Sequence, residues 1–395
     1  MTAVLSPATE EELAAAVCDA SAARTALAVA GGGSRAGLGR PVEAARALLT
    51  ERLTGITLYE PAELVLSARA GTPLAEVEGL LRQNGQRLAF EPMDHRTIYR
   101  SAGEPTIGGV AAANVSGPRR ILAGAARDSL IGVRAVTGRG EVVKSGGRVM
   151  KNVTGYDLVR FLAGSHGTLA VLTEVTFKVL PAPETEATLV LRGLDDKSAV
   201  AALTAALGTP FEVSGAAHRP GEGAAAETCV RIESFAKSVS YRARRLREDL
   251  GRFGPVEIVD DAAASRAIWA SVRDAEALAA PPEAPVWRVS VRPTDGPAVA
   301  HAIGRAFDCR ILYDWGGGLV WIAGGEGDDA GAGIVRAAVK AVGGHATLIR
   351  APDAVRRRVP VFEPQPEPLM ALTRRLKHAF DPAGILNPGR MYGDM

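Results

Sequence analysis

The chain is poor in cysteine. Only Cys18, Cys229 and Cys309 occur among 395 residues, far apart and without a Cys-x-x-Cys pair, so neither an iron–sulfur cluster nor a zinc knuckle is assembled from these thiols alone. They read as buried, reduced side chains. Charge of one sign is missing too. Lys and Arg number 46 against 44 Asp and Glu, a net charge of +2 with no basic or acidic block, which argues against nucleic acid as the main partner. No apolar run reaches the roughly 18 residues that a membrane span needs. Met1 to Glu12 lacks a basic segment followed by an apolar one. A cytoplasmic address is expected, with any approach to the inner membrane made through partners. Histidine is scattered: His95, His166, His218, His301, His345 and His378 form no pair suited to a divalent metal, and no metal is expected.

Glycine, by contrast, is plentiful at 44 residues. Three concentrations lie in the N-terminal half: Ala30-Gly31-Gly32-Gly33-Ser34, Thr106-Ile107-Gly108-Gly109 and Gly164-Ser165-His166-Gly167-Thr168. A residue without Cβ accepts positive φ, so successive main-chain N–H groups can converge on phosphate oxygens. Together the three loops read as a dinucleotide cradle. The second runs into helix formers as far as Asn114, with Ser116, Gly117, Arg119 and Arg127 nearby, and arginine there would neutralise phosphate charge. Better-known phosphate motifs fail. Gly31-x-Gly33-x-x-Ala36, with Glu51 about twenty residues later, satisfies the loose Rossmann fingerprint. Yet Gly37, Gly39 and Pro41 break any helix that should open there, and Glu51 is expected in a helix or loop, not at the end of a second strand. No Gly-x-x-x-x-Gly-Lys-Ser/Thr occurs, which excludes a P-loop.

An apolar fraction of 47% over this length implies a well-filled globule of two or three domains. Periodicity predicts a helix over 10–23, a strand over 27–30, then a βαβ unit: strand 64–70, a helix entered through Pro73 and closed at Asn84-Gly85, and strand 87–90. A hairpin turns at Gly138-Arg139-Gly140, a short helix covers 156–163, and a long strand runs over 168–180. Pro181-Ala182-Pro183 marks a boundary. Beyond it, strands are expected at 187–192, 211–214, 229–233, 256–259, 286–291, 310–313 and 319–323. Helices are expected near 198–207, 238–250, 262–278, 298–307 and 330–342. This rhythm suggests an antiparallel sheet covered on one face.

The three glycine loops, together with Gly146-Gly147-Arg148-Val149-Met150-Lys151-Asn152-Val153-Thr154-Gly155-Tyr156-Asp157-Leu158, resemble the FAD-binding domain shared by vanillyl-alcohol oxidase and p-cresol methylhydroxylase. The tail Phe380-Asp381-Pro382-Ala383-Gly384-Ile385-Leu386-Asn387-Pro388-Gly389-Arg390 is similar to the closing motif of the D-lactate and glycolate dehydrogenase branch. Within it, Gly343 to Leu348 and Trp287 to Val291 resemble the FAD-binding subunits of glycolate oxidase.

The resemblance implies an α+β fold: a two-subdomain FAD-binding domain of the p-cresol methylhydroxylase type over 1–183, an α+β cap with an antiparallel sheet over 184–365, and a C-terminal helix and tail over 366–395 returning to the flavin. It implies non-covalent FAD, because Ser34 and Arg35 stand where some relatives carry a linking His or Cys. The diphosphate would lie against Gly31, Gly32, Gly33 and Ser34 on one side and Thr106, Gly108 and Gly109 on the other. Asn114, Ser116 and Gly117 would contact the ribityl or adenine parts, Gly167, Thr168 and Val171 would close the pocket, and Asn387 would reach back to the flavin. The catalytic relatives carry a glycine-framed histidine motif and paired histidines in the cap. Here His345 alone has a glycine-framed setting, as base or as structural histidine, and Arg288 and Arg350 are candidates for a carboxylate clamp or for ordinary ion pairs. The implied role is the FAD-binding subunit of a glycolate (2-hydroxy acid) oxidase complex, with a larger flavoprotein subunit and an iron–sulfur subunit as partners. A stand-alone FAD-dependent 2-hydroxy acid dehydrogenase and a non-catalytic assembly subunit with a degenerate flavin site remain open.

Overall fold

The computed structural model describes residues 3–147, 156–325 and 327–395, so Arg148 to Gly155 of the glycine-rich stretch lie outside the described residues. The N-terminal helix (Glu10–Ala22) begins where expected. Thr9 caps it by accepting from the Glu12 amide at 3.1 Å, three glutamates occupy its positive end, and Leu13, Val17 and Ala20 form its buried stripe. It packs beside β1 (Ala3–Leu5), β2 (Leu27–Ala30) and β3 (Arg46–Leu49), a parallel sheet in the order β1-β3-β2. Glu51 lies in a turn, as expected, although that turn does follow a strand, β3. What separates this lobe from a Rossmann unit is the chain after Gly33, which runs through turns to β3 without a helix.

Next come β4 (Ile56–Glu60), β5 (Val65–Arg69), β6 (Gln86–Arg87), β7 (Leu130–Thr137), β8 (Val142–Gly146), β9 (Ala170–Lys178) and β10 (Leu180–Pro181). Five of them make an antiparallel sheet, β4-β5-β9-β7-β8, and among the described residues β6 pairs only with β10. The expected βαβ unit is not formed. The helix Leu74–Gln83 follows β5, but beyond Arg87 the apolar residues Leu88 and Phe90 enter the core instead of a ladder, Phe90 lying 5.3 Å from Phe177, and Glu91 turns the chain at φ 50°.

The remaining strands are β11 (Thr185–Arg192), β12 (Gly215–Arg219), β13 (Glu227–Ser234), β14 (Val256–Val259), β15 (Val286–Ser290), β16 (Cys309–Asp314), β17 (Leu319–Gly324) and β18 (His345–Arg350). They form one antiparallel sheet, β14-β11-β13-β12-β16-β17-β15-β18. The strand expected at 211–214 begins instead at Gly215: Glu212 has φ 50°, and Gly215 sits where a Cβ would meet the Trp269 ring at 2.6 Å. The sheet is covered on both faces. Helices Asp196–Leu207, Ala236–Leu250, Gly296–Gly304 and Ala332–Lys340 cover one. Helix Ala262–Arg273 covers part of the other, and Leu312, Leu319, Trp321 and Ile349 join the core of the N-terminal half there. A last helix, Glu367–Phe380, leads into a tail in which Leu386 bridges to Leu27. Of the three thiols only Cys229 is buried; Cys18 is exposed and Cys309 half-buried, all unpaired. Among the described residues no helix is long and apolar enough to cross a membrane.

Charged side chains tie the large sheet to the N-terminal half. Arg231 on β13 grips Glu91 with bonds of 3.0 and 2.9 Å, while Arg119 reaches Glu233 at 2.8 Å and Glu91 at 3.3 Å, and Arg87 reaches Glu233 at 2.5 Å. The three arginines hold both carboxyls below their ordinary range against the opposing effect of burial. Glu233→Ala is expected to lower the unfolding free energy by about 3–5 kcal/mol in a denaturant titration, because it strands buried guanidinium groups. With folded-state values depressed, this contribution is fully present above about pH 4.5 and is lost as pH falls below it. An acid titration of Glu233→Gln that kept the wild-type pH profile would contradict this.

Candidate functional site

The site is built by backbones that touch. β2 ends at Ala30 and the chain turns through Gly31 to Ser34 directly against residues 103–106. A Cβ on Gly31 would lie 2.5 Å from Thr106 Oγ1, and one on Gly32 would run into the Glu104 carbonyl oxygen. Gly33 adopts φ 80°, open to glycine and strained for most other residues. The second loop starts a short helix (Ile107–Ala112) capped by Thr106, whose Oγ1 accepts the Gly109 amide at 3.2 Å. In the third turn His166 and Gly167 have φ 53° and 68°, and Asn387 of the tail braces it. Asn387 Nδ2 donates to the His166 carbonyl at 2.9 Å and the Val29 carbonyl at 3.2 Å, and its Oδ1 accepts the Val29 amide at 2.8 Å.

These turns enclose a cavity of about 280 Å³. Its walls bring together Gly31, Gly32, Gly33, Ser34, Thr106, Gly108, Gly109, Gly167 and Val171 from far-separated stretches. Thr168 faces a neighbouring cavity of about 190 Å³ with Phe161, Lys377 and Met391. Asn114, Ser116 and Gly117 are not on the glycine cavity's walls. Asn114 Oδ1 accepts the Arg127 amide at 3.0 Å, Ser116 Oγ accepts the Ala126 amide at 3.0 Å, and Gly117 lies against the Glu91 carbonyl, where a side chain would collide.

Several expected roles change for physical reasons. The Gly108 amide already donates to Ala70 O at 2.9 Å and the Gly109 amide to Thr106, so these N–H groups are not turned to an anion. Gly108 is required instead because a Cβ would stand 2.5 Å from the Ala70 Cβ. Arg119 belongs to the ion-pair network and Arg127 is exposed, so neither charge serves the cavity. The Asn387 amide is consumed by the brace. Arg350 is no carboxylate clamp: its guanidinium donates to the carbonyls of Ile98, Leu278, Ala279, Pro281 and Ala284 at 2.8–3.2 Å.

Two cationic residues that the sequence reading does not select line the same cavity, Arg35 and Arg390. Their signal was position, one directly after the first glycine run and one closing the tail. Burial lowers Arg35 to about 10, and Arg35 Nε donates to His95 Nδ1 at 3.2 Å. Burial, then the Arg35 charge, pushes His95 down to about 3. Burial, then Arg390 and Arg35, does the same to His166, so both imidazoles are neutral at pH 7. Arg35 Nη2 and Arg390 Nε find no hydrogen-bond partner among the described residues. No Asp or Glu is among the described wall residues. A glycine-walled cavity with bare guanidinium N–H groups and no counter-charge suits a phosphate-bearing ligand.

On the inward face of the large sheet, Arg288 lies over Trp315 at 5.0 Å and Trp321 at 6.0 Å, and Arg120 lies over Trp315 at 4.8 Å. Arg288 has no acceptor among the described residues, and burial, then the Arg120 charge, lowers it to about 10. His345 is the exposed first residue of β18, on the same face, since it pairs with Ser290 as Thr347 pairs with Arg288. Burial of part of its ring, then the Arg288 charge, lowers its pKa. No group of three or more His, Cys, Asp or Glu side chains placed to hold a metal occurs among the described residues.

The sequence matches the FAD binding domain family over residues 1–146 and the FAD linked oxidases C-terminal domain family over 361–391. Glycolate oxidase subunit GlcE of Escherichia coli is 35% identical over 372 residues, covering 94% of each chain. Glycolate oxidase subunit GlcD of Bacillus subtilis is 31% identical over 48% of this chain and 39% of its own length. In structure, p-cresol methylhydroxylase with substrate bound superimposes with a TM-score of 0.70 over 99% of this chain and 88% of that one, at 15% identity. Alkyldihydroxyacetonephosphate synthase gives 0.68 over 98% and 76%, also at 15% identity. At such identities these two structures show the fold alone, the α+β architecture expected from the sequence.

Because Arg350 holds five carbonyls at once, Arg350→Met is expected to cost more than about 3 kcal/mol of stability while leaving ligand affinity at the glycine cavity unchanged. Chemical denaturation and a binding titration check the two halves; unchanged stability would remove the structural role assigned to this arginine.

Proposed function

The chain belongs to the family of glycolate oxidase GlcE subunits, and from that membership we propose that it is the FAD-carrying subunit of a 2-hydroxy acid oxidase assembly acting on glycolate or a close analogue. The observation that carries the reading is the convergence of three distant glycine turns on one cavity that bare arginine N–H groups enter and no described carboxylate lines. The flavin-binding unit comprises 1–183 with the returning tail 366–395, and 184–365 is the cap. Ser34 and Arg35 at the first turn offer no linking His or Cys, so FAD is held non-covalently. When bound, FAD supplies two-electron oxidation of a substrate and release of the electrons singly.

The chain's own groups then have these tasks. The glycine turns admit the diphosphate by leaving room for it. Arg288, with Arg120 beside the same tryptophan, anchors the substrate carboxylate, since its fork of N–H donors has nothing else to bind among the described residues. Trp315 and Trp321 exclude water from that anchor. His345, neutral and on the same sheet face, takes the hydroxyl proton. With three scattered cysteines in the sequence, the onward electron relay resides in an iron–sulfur partner, and a larger flavoprotein subunit completes the complex.

The test is direct. The purified chain is expected to carry visible flavin absorbance, and denaturation should release free FAD into the supernatant. A colourless protein that takes up no added FAD would leave the assembly-subunit reading in its place. Sustained turnover of glycolate by the chain alone with an artificial acceptor would favour the stand-alone enzyme. In the reconstituted complex, Arg288→Met should raise the KM for glycolate by roughly tenfold to a hundredfold, the loss of a charge-assisted contact, at unchanged FAD content.

A further inference from the structure

A guanidinium kept for the fold finds several acceptors, as Arg350 does with five carbonyls and Arg231 does with Glu91 and Ser214, even where one N–H stays free, as the Nε of Arg242 and of Arg336 does. Arg35 finds no such set. It is 9% exposed, one N–H is held by His95, and Nη2 is bare. The carboxylate next to His95 in sequence, Asp94, is taken by Arg96, whose Nε and Nη2 fork onto it at 2.7–3.1 Å. The partner that orients Arg35 is therefore a neutral imidazole, itself stacked on Tyr99 with ring centroids 6.0 Å apart. A carboxylate in the place of His95 would orient the arginine equally well and cancel its charge; the imidazole leaves that charge whole. Gly109 makes room for it, since a Cβ there would stand 3.3 Å from Arg35 Nη1. On the wall of the same cavity, Arg390 makes no side-chain hydrogen bond or ion pair to a described residue, and its buried Nε is bare.

We propose that Arg35 and Arg390 are the side-chain counter-charges of the cofactor's diphosphate, with His95 as the positioning residue that aims Arg35 without neutralising it. Two guanidinium groups match the two negative charges of a diphosphate. Because the Gly108 and Gly109 amides are bonded elsewhere, these side chains take over the second loop's part of the task, beside the amides of the first turn. The inference rests on the FAD reading above, and wild-type FAD uptake is measured first to separate the two: no uptake defeats that reading, whereas the comparisons below decide this one.

The experiment titrates apo protein with FAD, ADP-ribose and riboflavin, in parallel with thermal melts of each apo variant. Arg35→Met and Arg390→Met are expected to weaken FAD and ADP-ribose, which carry the diphosphate, at least tenfold each, and to leave riboflavin unaffected. Apo melting midpoints should stay level or rise, because a buried unpaired charge has been removed. Arg35→Lys should fall between wild type and Arg35→Met. His95→Gln, which keeps a neutral hydrogen-bonding partner, should bind like wild type, and His95→Asp should behave like Arg35→Met. Binding of ADP-ribose by Arg35→Met within twofold of wild type overturns the proposal, as does parallel loss of riboflavin or a lowered apo midpoint. Should Arg35→Met fail to fold, the His95→Asp and His95→Gln pair decides: equal ADP-ribose affinities overturn it.

Discussion

Close backbone-on-backbone contact around the first glycine turn is the constraint on which the rest of the N-terminal half depends. Gly31 and Gly32 lie on Thr106 and Glu104, Gly103 lies on the Gly33–Ser34 peptide, and Gly108 lies on Ala70 at the end of β5. Hydrogen bonds then lock these approaches: Ile107 N to Thr72 O at 3.0 Å, Gly108 N to Ala70 O at 2.9 Å and Leu74 N to Pro105 O at 2.8 Å. A methyl group at Gly31, Gly32 or Gly103 would push the first turn off the 103–106 loop, and one at Gly108 would push the second loop off Ala70, since interiors at crystal-like density have no slack to absorb it. The cavity is the space left where these backbones meet and then diverge. It follows that the glycines shape the cavity, and that its charge must come from the side chains that reach its walls.

The large sheet is joined to the N-terminal half by polar contacts as well as by a shared apolar core. Arg231 and Glu233 on β13 meet Glu91, Arg119 and Arg87, Trp315 Nε1 donates to Gly117 O at 3.1 Å, and Tyr99 OH donates to Ile349 O at 2.7 Å. Buried ion pairs add little net stability over an apolar contact of equal size, but they are unforgiving of misalignment. That property suits a face carrying Arg288, Trp315 and Trp321, whose use requires a fixed placement relative to the glycine turns. Gly117 shows the link: expected at the cofactor, it serves as the acceptor that seats Trp315.

Much of this was legible in the residues. Strong periodicity with caps located the helices at 10–22 and 74–83, and the Gly138-Arg139-Gly140 turn located the hairpin of β7 and β8. The failures have two causes. Leu88 to Phe90 carry strand-like apolarity because they fill a core, and core filling does not require a ladder partner. Arg350 and Arg119 look identical to Arg35 and Arg288 in sequence, since nothing local tells whether carbonyls or carboxylates from distant segments will surround a guanidinium. The same blindness hid the Asn387 brace, whose three bonds run to residues more than two hundred positions away.

The electrostatic state of the cavity couples cofactor retention to folding. Arg35 and Arg390 both act on His166, and Arg35 acts on His95, so four potentially cationic groups share one low-dielectric region and only the two arginines stay charged. Burial and mutual repulsion favour neutral imidazoles, which removes half of the possible charge and leaves each ring one donor and one acceptor nitrogen. The residual positive charge is a standing cost to the empty protein, because no described side chain of opposite sign lines the walls. A dianionic ligand removes that cost and adds its own contacts, so its binding energy appears as stability of the loaded form. The turns that meet such a ligand are those on the cavity wall, at 31–36 and 166–167. Both are tied to the tail, since Asn387 bonds Val29 just before the first and His166 in the second while Leu386 bridges to Leu27 of β2, so a change in either turn on loading is passed to the C-terminal segment.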